Sequence, residues 1–319
     1  MIPTSKVLWG EGLFLRPQHF QRQDAYHEWR LAETARTLHP YAWGVRRCRV
    51  DVQALASGVL RFDELALVFP DGEFFTAPGE DELPPPLNLA ALPPQHVEVL
   101  VRAAIAPLRT QSANAALEAA ADDGSLHYTR LAAPAADWFT QATKAEVSLL
   151  RRNVRLVADH EPHDHLVSVP VCRLRRNAAG GFELDARFVP PSVSLQSSPV
   201  LLALLRRLID MLQAKVDALY GFHREPSRHV IEFRSGDIAS FWLLHTSSAA
   251  CAALMHYRQH PQLHPERLHE RLLELAGALM TFSRQQRHLG LSGLREPVDR
   301  KSTRLNSSHT DISRMPSSA

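Results

Sequence analysis

Apolar and polar positions change period along this chain. From Pro17 to Leu38, PQHFQRQDAYHEWRLAETARTL sets Phe20, Ala25, Trp29 and Ala32 at helix-like intervals. Pro17 suits a first helical turn and Pro40 stops the run, so one early helix is predicted. Between Trp43 and Pro190 the texture shortens to β-branched or alternating runs: VRRCRVDV, GVLRFDELALVF, EFFTAP, HVEVLVRAAI, EVSLLRRNVRLVA, HLVSVPVCRL and FELDARFV. Turn signals PDG, PGEDELPPP, DDG and AAGG separate them. Short strands broken in this way predict an antiparallel sandwich or barrel. The five prolines of DELPPPLNLAALPPQ make that segment an extended connection, because proline fixes φ and donates nothing to a ladder.

After PPSVSLQSSP the helical period returns. Leu201, Leu205, Leu208, Leu212 and Leu219 form one stripe, which Gly221 is suited to end. Asp237 is placed to cap a second helix, IASFWLLHTSSAACAALMHYRQH, stopped before Pro261. Within it Ser240 to Tyr257 is apolar enough to suggest a membrane, but His245, His256 and several serines predict a buried helix instead. A third run, PERLHERLLELAGALMTFSRQQ, carries Leu268, Leu272, Leu275, Leu279 and Phe282 at steps of four, three, four and three. That short heptad suits helix pairing within a bundle or between chains, and too few repeats are present to set an oligomer number. The fold class is therefore mixed β and α: an N-terminal β-sandwich with an early helix over 1–190 and a helical region over 191–298. Residues 299–319, which include the polar string KSTRLNSSHTDISRMPSSA, have no periodicity and are expected to be a non-native tail.

Charge changes little in this picture. The 36 basic and 34 acidic residues leave a formal +2, which favours neither nucleic acid nor an anionic membrane. Cys48, Cys172 and Cys251 are far apart in sequence and form no CxxC pair, as suits small buried thiols in a reducing compartment. No secretory signal opens the chain.

Candidate chemistry is sparse. Among the 17 histidines the best cluster is ADHEPHDHL, where His160, Glu161, His163, Asp164 and His165 alternate on an extended segment that could face a metal ion. Its Pro162 and its place between two predicted strands fit a solvated turn equally well. No nucleophile elbow, phosphate-cradling glycine loop or kinase set occurs. No enzyme, cofactor or resident metal is therefore expected. The remaining signal is apolarity near the N-terminus: Trp9, Leu13, Phe14, Leu15 and Phe20 must pack on the chain itself, on a second copy or on a partner, since each large side chain buried contributes roughly 1.5–3 kcal/mol.

The string KVLWGEGLFLRPQHFQRQD resembles the signature of the TssK (ImpJ/VasE) family of type VI secretion baseplate subunits, W-x-E-G-x-x-L-x-P-Q-H-F-Q. Trp9, Glu11, Gly12, Leu15, Pro17, Gln18, His19, Phe20 and Gln21 match it, with Phe14 inside the string. Further similarities follow in order at FPDG (69–72), LPPPLN (83–88), RRNVRL, HLVSVPVCRL, GGFELDARFVPP (180–191) and LLELAGALMTFS (272–283), so that the resemblance spans residues 5 to 290. It implies a homotrimer with a shoulder like that of phage receptor-binding proteins, a helical neck and a C-terminal head. The shoulder would join TssF and TssG, the head would contact TssL and TssM, and the subunit would be a cytoplasmic, non-enzymatic adaptor at the inner membrane. The assembly residues implied are Trp9 to Phe20, with Leu268, Leu272, Leu275, Leu279 and Phe282 as the neck seam. The head would be missing here, and the TssL/TssM contact with it. A phage-type receptor- or carbohydrate-binding protein is the alternative, followed by a metal-dependent enzyme using His160 to His165.

Overall fold

The computed structural model describes residues 3–93, 95–116, 125–140, 143–223 and 235–282. The expected tail, and the neck beyond residue 282, lie outside the described residues.

The early helix α1 runs Pro17–Leu38, as its apolar spacing predicts. The strands that follow are β1 (Gly44–Val50), β2 (Val59–Leu60), β3 (Phe62–Val68), β4 (Phe74–Ala77), β5 (Leu87–Asn88), β6 (Glu98–Ile105), β7 (Tyr128–Ala136), β8 (Lys144–Arg152), β9 (Arg155–Ala158), β10 (Val167–Arg176) and β11 (Phe182–Leu184). A short helix, α2 (Val52–Ala56), sits where sequence reading expects the end of a strand, because the Asp51 side chain accepts from the Gln53 and Ala54 N–H groups and caps it.

Two antiparallel sheets face each other, β1-β3-β4 and β11-β10-β6-β9. Alternation directs Phe62, Leu65, Leu67 and Phe75 from the first sheet, and Val99, Val101, Val169 and Leu174 from the second, into one dry core. The run EVSLLRRNVRLVA is divided at Asn153 and Val154 into β8 and β9, which belong to different sheets. β7 and β8 form a two-stranded ribbon of their own, paired from Tyr128↔Arg152 to Ala136↔Lys144.

Ahead of the helices, residues 190–193 run beside β1. The Val45 N–H donates to Pro191 O at 2.7 Å and the Val193 N–H to Val45 O at 3.2 Å. Gly44 makes this approach possible: a Cβ there would lie 2.6 Å from the Pro191 carbonyl group. The helices are α3 (Pro199–His223), α4 (Ser235–Gln259) and α5 (Pro265–Met280). Gly221 does not end α3, which continues to His223, and α4 begins at Ser235, ahead of the expected cap. A second core joins Leu205, Ile209 and Leu212 of α3, Cys251, Leu254 and Tyr257 of α4, and Leu268 and Leu275 of α5.

The heptad stripe of α5 faces this core. Leu268 and Leu275 are buried in it and Leu272 and Leu279 pack against it, while Phe282 remains partly exposed. As a seam between chains the stripe is corrected, because α3 and α4 of the same chain already occupy it. The expectation of a buried second helix is corrected too: in α4 only 22% of its most apolar window is buried.

Candidate assembly surfaces

The N-terminal signature folds into an arm and a helix start. Gly12 adopts φ +78° with open space where a side chain would be, so its role is conformational. Pro17 begins α1, and His19, three positions into the helix, reaches back so that its Nδ1 accepts the Arg16 N–H at 3.0 Å. This is the reciprocal half of a capping box, with imidazole in place of the usual Glu or Gln. Trp9 folds over the same turn, with ring centroids 6.2 Å from His19 and 6.4 Å from Phe20, and its indole Nε1–H donates to Gln23 Oε1 at 3.4 Å. Much of the signature is thus a local lock that joins arm to helix. Glu11 and Gln18 are exposed, as are Leu8, Leu15 and Phe14, the last at 80%. Leu8, Leu13, Phe14 and Leu15 are not part of the sandwich core.

α1 rests on the sandwich at the FPDG turn. Ala32, the buried residue of α1, lies over Gly72, where a Cβ would come within 2.7 Å of the alanine methyl. Gly72 holds φ +90°, and Arg36 donates to the Asp71 carbonyl. The motif residues Asp71 and Gly72 therefore serve as a seat for α1.

The β7–β8 ribbon projects apolar side chains that no core covers. One face pairs Leu131 with Leu149, Ala133 with Val147 and Ala135 with Ala145. At the tip Trp138 is 92% and Phe139 96% exposed. A two-stranded hairpin alone is marginal in water, and here the root supplies the anchorage. Arg152 Nε donates to Glu73 Oε1 at 2.7 Å, and the Arg152 N–H donates to Asp81 Oδ1 at 2.9 Å. Both carboxylates are buried. Asp81 also accepts from the Thr76 N–H at 3.1 Å, and Arg151 pairs with Glu82. Beside the root, His127 is fully buried with Nδ1 2.6 Å from Ala106 O, while Nε2 has no hydrogen-bond partner. Burial holds its pKa below the ordinary histidine value, although the nearby Glu73 and Asp71 carboxylates pull the other way. The ribbon is a knob anchored at its root, and sequence alone hides it because YTRLAAPAA lacks a β-branched alternation and contains Pro134.

Other candidate chemistry is dispersed. His160 stacks on His96 with ring centroids 4.7 Å apart, and His163 Nδ1 contacts Glu161 O at 2.8 Å within the β9–β10 turn. Among the described residues no group of three or more His, Cys, Asp or Glu side chains is placed to hold a metal ion. All three cysteines are free thiols, and burial pushes Cys48 up to about 12 and Cys172 upward as well.

Comparison with known proteins gives these surfaces a context. Residues 19–293 match the bacterial type VI secretion family that includes EvfL, ImpJ and VasE. The chain belongs to this family. A relative from Pseudomonas aeruginosa, the type VI secretion system baseplate component TssK1, is 30% identical over 292 residues, which cover 89% of this chain and 63% of that protein. The chain thus spans less than two thirds of that relative's length. Among solved structures, a TssK-TssF-TssG baseplate subcomplex contains a chain similar at TM-score 0.78 and 29% identity, with 89% of each chain covered. A type VI baseplate complex gives TM-score 0.81 at 30% identity, covering 89% of this chain and 63% of the other. The sandwich-then-helices order of this family member is that of its TssK relatives.

Proposed function

We propose that this chain is a structural, non-enzymatic adaptor subunit of a type VI secretion baseplate, working in the cytoplasm at the inner membrane. Its sandwich region, with the arm and the β7–β8 ribbon, meets TssF- and TssG-like wedge proteins, and its helical region holds the subunits together as a homotrimer. The contact with TssL and TssM belongs to the part of the longer relatives that this chain does not span. In this arrangement residues 1–190 act as shoulder and 191–298 as neck.

The observation that carries this reading is the Trp138–Phe139 tip, two nearly fully exposed aromatic residues on a ribbon rooted by a buried ion pair, in a chain whose relatives include a TssK-TssF-TssG subcomplex. Aromatic anchors on a rigid support are what concentrated binding energy requires. Co-purification with TssF and TssG of the same bacterium tests it: the 319-residue chain retains both, and a Trp138→Ser/Phe139→Ser variant of unchanged fold loses most of the retention. The same chain does not retain TssL or TssM, and capture of either would refute the assignment of that contact.

A further inference from the structure

The outward face of the second sheet carries two arginines that the chain leaves without a counter-charge. In the pairing of β6 with β9, Ala104 lies opposite Arg155 and Arg102 opposite Val157. On the other side of β6, in its pairing with β10, Ala104 lies opposite Ser168 and Arg102 opposite Pro170. The intervening Ala103, Leu156 and Val169 belong to the dry core, so Arg102, Arg155 and Ser168 share the other face of the sheet, set around Ala104. Ala104 and Val157 are buried yet belong to no core, and they form the floor of this group.

The remaining outward arginines of the sheet are answered from within the chain. Arg175 pairs with Glu98 at 3.0 Å, and Arg173 lies 3.6 Å from Asp185 and over the Phe188 ring. Arg102 and Arg155 are half-buried, and the Nε of each is sealed from water with no acceptor. Neither has an ion pair among the described residues. Asp159, which follows β9 on the same face, is exposed and makes none with them. The two arginines are diagonal neighbours across β6 and β9, a Cβ spacing of about 7–8 Å over which long side chains reach each other. Two like charges at that separation repel, and a guanidinium N–H withdrawn from water without an acceptor is destabilising. An anion held between the two forks removes both costs.

We infer that Arg102, Arg155 and Ser168 form a binding site for an acidic peptide segment, a stretch of a partner protein whose carboxylates lie across the outward face of β9, β6 and β10. A guanidinium fork matches a carboxylate with two parallel hydrogen bonds, and the Ser168 hydroxyl adds a donor on the far side of the Ala104 floor. The number of charges selects this occupant. With Arg173 and Arg175 neutralised, and a formal +2 for the whole chain, no basic stripe continues beyond the pair. Nucleic acid and anionic membranes draw their affinity from such a run of cations, whereas one or two carboxylates on an extended peptide are matched by two arginines. The surface differs in chemistry from the arm and the ribbon, which offer apolar side chains.

The test is calorimetric titration of the full chain with hexaglutamate at low ionic strength. The parent is expected to bind, Arg102→Gln with Arg155→Gln to bind at least about tenfold more weakly, and Arg175→Gln to bind like the parent. Arg102→Lys with Arg155→Lys, which keeps the charges but not the forks, should fall between and serves if the Gln pair does not fold. Hexaglutamate should also raise the melting temperature of the parent and leave that of the Gln pair unchanged. A parent that does not bind, equal affinity in parent and Gln pair, or an equal loss in Arg175→Gln overturns the site. Free glutamate that binds as well as the hexamer at equal carboxylate concentration would overturn the peptide in favour of a small acid. An oligothymidylate that binds more tightly than hexaglutamate, and loses its affinity in the Gln pair, would overturn it in favour of nucleic acid.

Discussion

The sandwich and the helical region handle apolar side chains in opposite ways. In the sandwich, period-2 alternation sends Phe62, Phe69, Phe75, Leu65 and Leu67 into a core sealed by two sheets, so that hydrophobicity in the sequence becomes burial in the fold. In the helical region, α5 devotes its single stripe to the core, whereas α4 is apolar or small around most of its circumference but buries only one side. The ribbon and the arm behave like α4. An apolar run in this chain therefore marks either a core or a surface awaiting a neighbour, and what separates the two is whether the same chain supplies the opposing layer.

Substitutions ranked by their effect on folding sharpen this contrast. Phe75→Ala, which empties a fully buried site between the sheets, is expected to cost about 3–5 kcal/mol in a denaturant melt. A cost below about 1 kcal/mol would mean that the sandwich core is less tightly packed than described. Gly72→Ala forces a side chain into positive φ and against Ala32, and about 1–2 kcal/mol of stability should be lost together with faster proteolysis of α1. Normal protection of α1 in that variant would remove the FPDG turn as its seat.

A smaller effect follows pH. The buried His127 binds a proton less readily in the native state than in the unfolded chain, so the unfolded state gains protons first as pH falls below about 6.5. Stability should be full above that value and should decline as the pH falls from about 6.5 towards 5. His127→Gln should flatten the decline; an equal slope in parent and variant would place the titration elsewhere. The smallest effect on folding belongs to Trp138→Ser with Phe139→Ser, expected within about 0.5 kcal/mol because both rings are exposed. That variant has the largest expected effect on wedge binding, and a melt as damaged as that of Phe75→Ala would make the tip part of a core.

Legibility in sequence followed the same division. α1 was readable to its ends because proline and periodicity bound it, and most sandwich strands were readable because alternation and burial coincide there. In sequence β8 reads as part of a longer core strand, because Val147, Leu149 and Leu150 have a core-like composition, yet they stand on an uncovered ribbon. β7 was invisible, since alanine and Pro134 give weak strand preference and its pairing with β8 alone tolerates proline. The two leucine-rich and alanine-rich helices could not be assigned inner and outer faces from spacing, because α5 and α4 both repeat every three and four residues. The signature string was readable as a resemblance, but the roles of Gly12 in the turn and His19 in the cap required backbone geometry.

The claim that joins these observations is that the uncovered apolar surfaces are assembly surfaces, divided between wedge partners and neighbouring copies. Hydrogen exchange of the full chain, measured alone and with TssF and TssG, tests it most directly. Residues 238–256 should be protected already in the chain alone, and residues 8–20 and 128–152 should gain protection when the wedge proteins are added. A complex that forms without new protection in either segment would contradict the account.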